Sequence, residues 1–130
     1  MVLAVAAKAV AAIDASIVVA WQDANEPHHN DAVALIKAFP HLVLHTVNLA
    51  EVLAGMPRSQ WPGVWTRLQA IGFEIHFTSA DEMAAAKQDT RLKMPEACVI
   101  AAARARRADV VLTFDDRLKA AARRFGFATN

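Results

Sequence analysis

A single cysteine, Cys98, stands in the 130-residue sequence, so no disulfide can form within the chain. A reducing compartment, the cytoplasm, is therefore expected. Cys98 lies in an apolar helical run and reads as a small buried hydrophobe. No Gly-rich phosphate loop is present, and no Ser has a recognisable His and Asp partner, so P-loop nucleotide binding and triad hydrolysis drop out. Linkers, repeats and low-complexity segments are missing too. The first stretch, Met1–Trp21, is apolar, but it lacks a basic start, carries its one early cation at Lys8 and is interrupted by Asp14. We expect neither a signal peptide nor a membrane span there. Charged residues make up only 21% of the chain against 55% hydrophobic, which excludes disorder and leaves an apolar surplus suited to a subunit or partner contact.

What is present alternates. The sequence predicts strands over Ala9–Ala15, Leu42–His45, Phe73–Phe77 and Val110–Phe114. Between them the spacing predicts a helix or turn from Ser16 to Trp21, then helices over Asp31–Phe39, Asn48–Ala54, Val64–Ile71, Ser79–Gln88, Pro95–Arg107 and Asp116–Phe125. Pro57–Gly63 reads as a break, and Thr78 or Ser79 as the cap of the fifth helix. The unbroken apolar run Val110–Phe114 suits a strand covered on both faces. Strands alternating with helices imply an α/β fold, one domain over residues 1–130 with a mainly parallel sheet flanked by helices.

Net charge is only +1, but residues 1–90 hold five Lys and Arg against nine Asp and Glu, and residues 91–130 hold nine against four. The last third is thus a candidate polyanion-facing surface, with Arg91, Lys93 and Arg117 as candidate RNA contacts. Arg106, Arg107, Arg123 and Arg124 equally suit the C-terminal ends of helices, where cations complement the dipole.

Four acids stand out. Asp14, Glu51, Glu96 and Asp115 each sit where an apolar run meets a helix start. Chemistry in an open α/β sheet gathers outside the carboxyl ends of the strands. Acids delivered there by separate segments repel one another unless a cation lies between them, which points to Mg²⁺ or Mn²⁺. Each acid alone is equally a cap or a dipole partner. Glu51, in Asn48-Leu49-Ala50-Glu51, matches a capping box with Asn48 in the cap position. One of Asp115 and Asp116 is expected to cap the last helix.

The ordered set Ile13-Asp14-Ala15-Ser16, Asn48-Leu49-Ala50-Glu51-Val52-Leu53, Met94-Pro95-Glu96-Ala97 and Leu112-Thr113-Phe114-Asp115 resembles a PIN domain, most of all the small VapC-type toxins of bacterial toxin–antitoxin pairs. The resemblance covers about Ala9 to Gly126. It implies a metal-dependent endoribonuclease neutralised by a small VapB-like antitoxin, with Asp14, Glu51, Glu96 and Asp115 as the acidic cluster. Asp14, Glu96 and Asp115 would be the metal ligands, with Ser16, Thr113 and Asp116 in support. Glu96 stands where the family usually has Asp, one methylene longer, and the first acid comes later than usual, so Met1–Lys8 reads as an extension. A homodimer is expected, small closed assemblies being mostly twofold.

Other patterns carry less. Adjacent His28 and His29 diverge and have no partner at ligand spacing. His41, His45 and His76 lie on or beside apolar strands as core or rim residues. Trp61 and Trp65 belong to the core, or else to an antitoxin or subunit contact. A receiver-like signalling domain would want an acid ending the middle strand, which here ends His45-Thr46, and a Lys after the last. A non-catalytic binding domain with this fold would have no need of four intact acids.

Overall fold

The computed structural model describes residues 7–130; the expected extension Met1–Lys8 lies outside it for residues 1–6. Five parallel strands form one sheet in the order β3-β2-β1-β4-β5, with β1 at Val10–Ile13, β2 at His41–His45, β3 at Phe73–His76, β4 at Val110–Leu112 and β5 at Ala128–Thr129. Helices α1 (Ala15–Gln22), α2 (His29–Ala38), α3 (Thr46–Ala54), α4 (Trp61–Ile71), α5 (Ala80–Thr90), α6 (Met94–Ala105) and α7 (Asp116–Arg124) connect them.

Successive side chains of a strand face opposite sides, and the central strands divide two cores on that rule. Ala11, Ile13, Val110 and Leu112 join one cluster with Ile17, Leu49, Val64 and Leu68. Ala12 and Val111 join the other with Ile100, Leu118 and Ala122. The small Ala11 and Ala12 let helices approach the sheet closely. Every residue of α6 from Ala97 to Ala103, Cys98 included, is buried. A helix enclosed all round cannot wander, so its first turn, which carries Glu96, is fixed against the sheet.

Four expectations need correction. β4 stops short of Phe114 because its last amides leave the ladder, Thr113 N–H donating to Asn130 Oδ1 and Phe114 N–H to Ser16 Oγ. β1 stops short of Ala15 because the Asp14 carbonyl turns to accept from Ile17 N–H as α1 begins. Helix α3 starts at Thr46, not Asn48, because His45 caps it, its Nδ1 accepting from Val47 N–H at 3.0 Å. The supposed break is largely helical: a 3-10 turn at Arg58–Gln60 runs into α4 at Trp61, with Pro62 in the first turn, where its missing N–H is tolerated. The edge strand β5 was unforeseen, two residues being too few to show a period. Ser79 does cap α5, in a reciprocal box with Glu82.

Trp61 is no free surface group. Its Nε1 donates to the carbonyls of Leu53 at 2.7 Å and Met56 at 3.1 Å, tying α4 to the end of α3, while Trp65 is 40% exposed.

Candidate acidic site

All four acids sit at the carboxyl edge of the sheet. Asp14 follows β1 in extended conformation and its N–H makes the last bond to Leu112 O, so its side chain leaves the strand end. It is 7% exposed. Its Oδ2 accepts from Thr113 Oγ1 at 2.7 Å and from Ser16 Oγ at 2.8 Å. Thr113 Oγ1 in turn accepts from Asp115 N–H, and Ser16 Oγ from Phe114 N–H. The ends of β1 and β4 are thus one hydroxyl-bridged unit, with the Asp14 carboxylate at its centre. Its Oδ1 takes no part in these bonds.

Asp115 caps α7 through Oδ1, which accepts from Arg117 N–H at 2.8 Å and Leu118 N–H at 3.3 Å. Its Oδ2 is not used in the cap. Asp116, in the first helical turn, is exposed. Asp115 and Glu96 line one small cavity of about 100 Å³ together with Leu92, Lys93 and Arg117. Glu96 Oε2 is buried and has no hydrogen-bond partner. A buried carboxylate oxygen without a donor is costly and calls for a proton or a cation.

Glu51 reaches the cluster from α3. Fully buried Asn48 holds it, Nδ2 donating to Glu51 Oε1 at 3.1 Å and to Pro95 O at 2.9 Å. One side chain therefore ties the second acid to the turn that carries the third. Asn48 was expected as a helix cap; inside the helix it is a bridge, and its own Oδ1 is buried without a partner. The Glu51 carboxyl is pushed above its ordinary range first by desolvation, then by the charges of Asp14 and Glu96, against the Asn48 amide.

A divalent cation fits this donor set: hard oxygens from separate segments, an orphaned buried one and an acid crowded by others. The acids are not, however, drawn together around one point. Among the described residues no group of three or more His, Cys, Asp or Glu side chains is arranged to hold a metal ion. Oδ2 of Asp14 and Oδ1 of Asp115 are each engaged in bonds of their own.

The cations separate into two sets. Lys93 and Arg117 line the cavity of Glu96 and Asp115, while Arg91 ends α5 in the left-handed conformation at φ 59°. This conformation costs a non-glycine residue about 1–3 kcal/mol. Arg104, Arg106 and Arg107 sit at the far end of α6, on the order of 15 Å away at 1.5 Å per residue. There Arg104 pairs with Asp89 at 2.9 Å and Arg106 with Glu74 at 2.7 Å. The acidic site is therefore not ringed by the whole basic third. His28 and His29 diverge, His28 stacking on Phe114 and His29 Nδ1 meeting Ala20 O.

No curated protein sequence matches this chain. Among solved structures it is similar to the sarcin-ricin-loop-cleaving toxin VapC20 of Mycobacterium tuberculosis, with TM-score 0.71 and 19% identity over 92% of this chain and 97% of that one. A toxin–antitoxin complex from Klebsiella pneumoniae gives 0.68 and 22% over 86% and 91%. A protein of Pyrobaculum aerophilum gives 0.57 and 18% over 93% and 90%. At such identities these likenesses concern the fold. The family model of the PIN domain matches residues 11–124, from β1 through α7; the chain belongs to the PIN domain family.

Proposed function

We propose that this protein is a divalent-metal-dependent endoribonuclease and the toxin of a toxin–antitoxin pair, working in the cytoplasm. The observation that carries the reading is the orphaned, buried Oε2 of Glu96, on the wall of a cavity that Asp115 also lines. A stability role for either acid supplies a donor for each buried oxygen; this arrangement leaves one open.

Asp14, Glu96 and Asp115 would hold Mg²⁺ or Mn²⁺. When bound, the ion neutralises charge developing on the phosphoryl oxygens and acidifies the attacking water. Ser16 and Thr113 orient Asp14 by donating to one of its oxygens and leaving the other for the site. Glu51, its proton affinity raised first by burial, would take the proton of the attacking water or help to hold the metal. Lys93 and Arg117 bind RNA phosphates beside the cavity they line. Buried Leu92, on the same wall, limits access of bulk water.

The antitoxin belongs to the same reading. A groove of about 380 Å³ starts at Glu51 and is lined by Val52, Met56, Gly55 and Val19, the last 46% exposed. It suits the apolar face of a short helix. An Arg from that partner would pair with the acids as the cation does. A homodimer of the toxin completes the assembly.

Incubation of purified protein with RNA, with and without Mn²⁺, tests the proposal. Cleavage that needs the ion and vanishes in Glu96→Gln supports it; metal-independent cleavage surviving in that variant overturns it.

A further inference from the structure

Beside the acids, on the α2 side of β4, lies a second cavity of about 350 Å³, lined by His28, Asp31, Ala34, Leu35, Phe114, Lys119 and Asn130. We propose that it is a nucleobase subsite, in which one unstacked base of the RNA continues the aromatic stack begun by His28 and Phe114. The inference rests on the nuclease reading for the identity of its ligand.

The two rings are already stacked, with centroids 4.4 Å apart and planes 17° apart. Phe114 packs on the core cluster, so its ring is backed by protein. His28 is exposed and forms the outer layer. Its backbone is fixed on both sides: His28 N–H donates to Glu26 Oε2 and its carbonyl accepts from Ala32 N–H at the start of α2. The ring is presented on a rigid turn, which lowers the entropic cost of stacking a third ring against it. Single-stranded RNA is read in this manner, with bases splayed out onto Phe or His faces.

Position and polarity agree with that ligand. Phe114 lies in the chain between Thr113 and Asp115, which support and form the acidic cluster. With Phe114 one residue from each, a base on this stack would belong to a nucleotide close to the phosphate those acids would hold. Around it Asp31 accepts, while Lys119 and the Asn130 amide donate, since Asn130 Oδ1 already accepts from Thr113 N–H. A ring edge with both donors and acceptors meets partners for both. A core aromatic needs no such rim, and the two rings, unlike the Phe114 N–H, take no part in the hydroxyl network around Asp14.

The probe is a short single-stranded oligouridylate carrying one 2-aminopurine, whose fluorescence falls when it stacks; anisotropy of an end label reports binding separately. Wild-type protein should quench the 2-aminopurine on binding. His28→Ala should lose most of the quenching and bind roughly tenfold or more weakly, the scale of one base–aromatic stack. His28→Trp should restore both. Phe114→Leu, which keeps an apolar core contact, should also lose quenching. Glu96→Gln should keep quenching while losing cleavage, which separates the subsite from the chemistry. Binding without quenching in the wild type overturns the subsite, as does full quenching in His28→Ala and Phe114→Leu alike. If the wild type binds and quenches yet never cleaves RNA with Mn²⁺, the subsite stands and the nuclease reading falls.

Discussion

The two ends of α6 hold opposite kinds of charge, and they are built differently. At its start, Glu96 has a buried oxygen with no partner, Asp14 is held by two hydroxyls, and Lys93 and Arg117 form no ion pair among the described residues. At its end, Arg104 and Arg106 each have a carboxylate partner, and Arg104 and Arg124 both lie 5.2 Å from the Phe125 ring. The second end pairs two of its cations with carboxylates; the first leaves a buried acid oxygen open. Stability favours closure, since exposed pairs and dipole partners add a few tenths of a kcal/mol each. The one buried carboxylate oxygen without a donor, Oε2 of Glu96, adds nothing to folding, and it is there that a bound cation would compensate charge.

That contrast can be broken in measurable ways. The largest effect is expected at the open end: Asp14→Asn should lower RNA cleavage by about 10³-fold, the scale of losing a main electrostatic group. The same variant should lose most of the rise in melting temperature that Mn²⁺ gives the parent, because an ion that binds only the folded state stabilises it. An unchanged metal response, followed by differential scanning fluorimetry, would remove Asp14 from the site.

Next in size is the cap that places Glu51. Buried His45 accepts from Val47 N–H through Nδ1 and meets Thr78 Oγ1 with Nε2 at 2.8 Å, so the ring must be neutral and donate to the threonine. His45→Phe removes the cap and strands the Thr78 hydroxyl, at an expected cost of about 2–4 kcal/mol in urea unfolding. A loss below about half a kcal/mol would show that α3 is placed by packing alone.

Acid titration gives a smaller effect. Burial first, and His76 second, hold the His45 pKa below the ordinary 6.5. Above that value the ring is neutral folded and unfolded, and its stabilising bonds are intact. As pH falls below 6.5 the unfolded chain takes up the proton first, and stability declines until pH has passed the lowered folded value. Glu51 acts oppositely: raised above 4.5, it contributes stability present below that pH and lost as pH rises through its folded value. Urea midpoints of the parent should therefore fall between neutral pH and the mildly acidic range, and His45→Asn should flatten that fall. Glu51→Gln should leave the histidine limb and stabilise the metal-free protein at neutral pH. An unaltered acid limb in His45→Asn would assign it to other groups.

The smallest effect compares the two sets of cations. Lys93→Ala with Arg117→Ala should raise KM for RNA several-fold and reduce its salt dependence, since each removes one phosphate contact. Arg106→Ala should leave KM unchanged and cost under about 1 kcal/mol of stability, as exposed pairs do. Equal losses in KM would place RNA along the whole basic third.

Much of this was legible in the chain. Alternating apolar runs and helical spacings establish four parallel strands and their helices, because period and capping chemistry are local. The four acids and their order are likewise visible, since each marks a junction between an apolar run and a helix start. What the tertiary structure alone decides is how side chains from distant segments share their bonds. Asn48 reads locally as a cap, but folding buries it and sets its amide between Glu51 and Pro95, 47 residues on. Thr113 and Ser16 meet on one oxygen of Asp14 only because β4 lies beside β1. Arg104 and Arg106 find carboxylate partners while Arg117 lines the acidic cavity, and composition reports only their sum. Local sequence specifies elements through short-range periodicity; the open oxygen on Glu96 comes from packing, which no local pattern encodes.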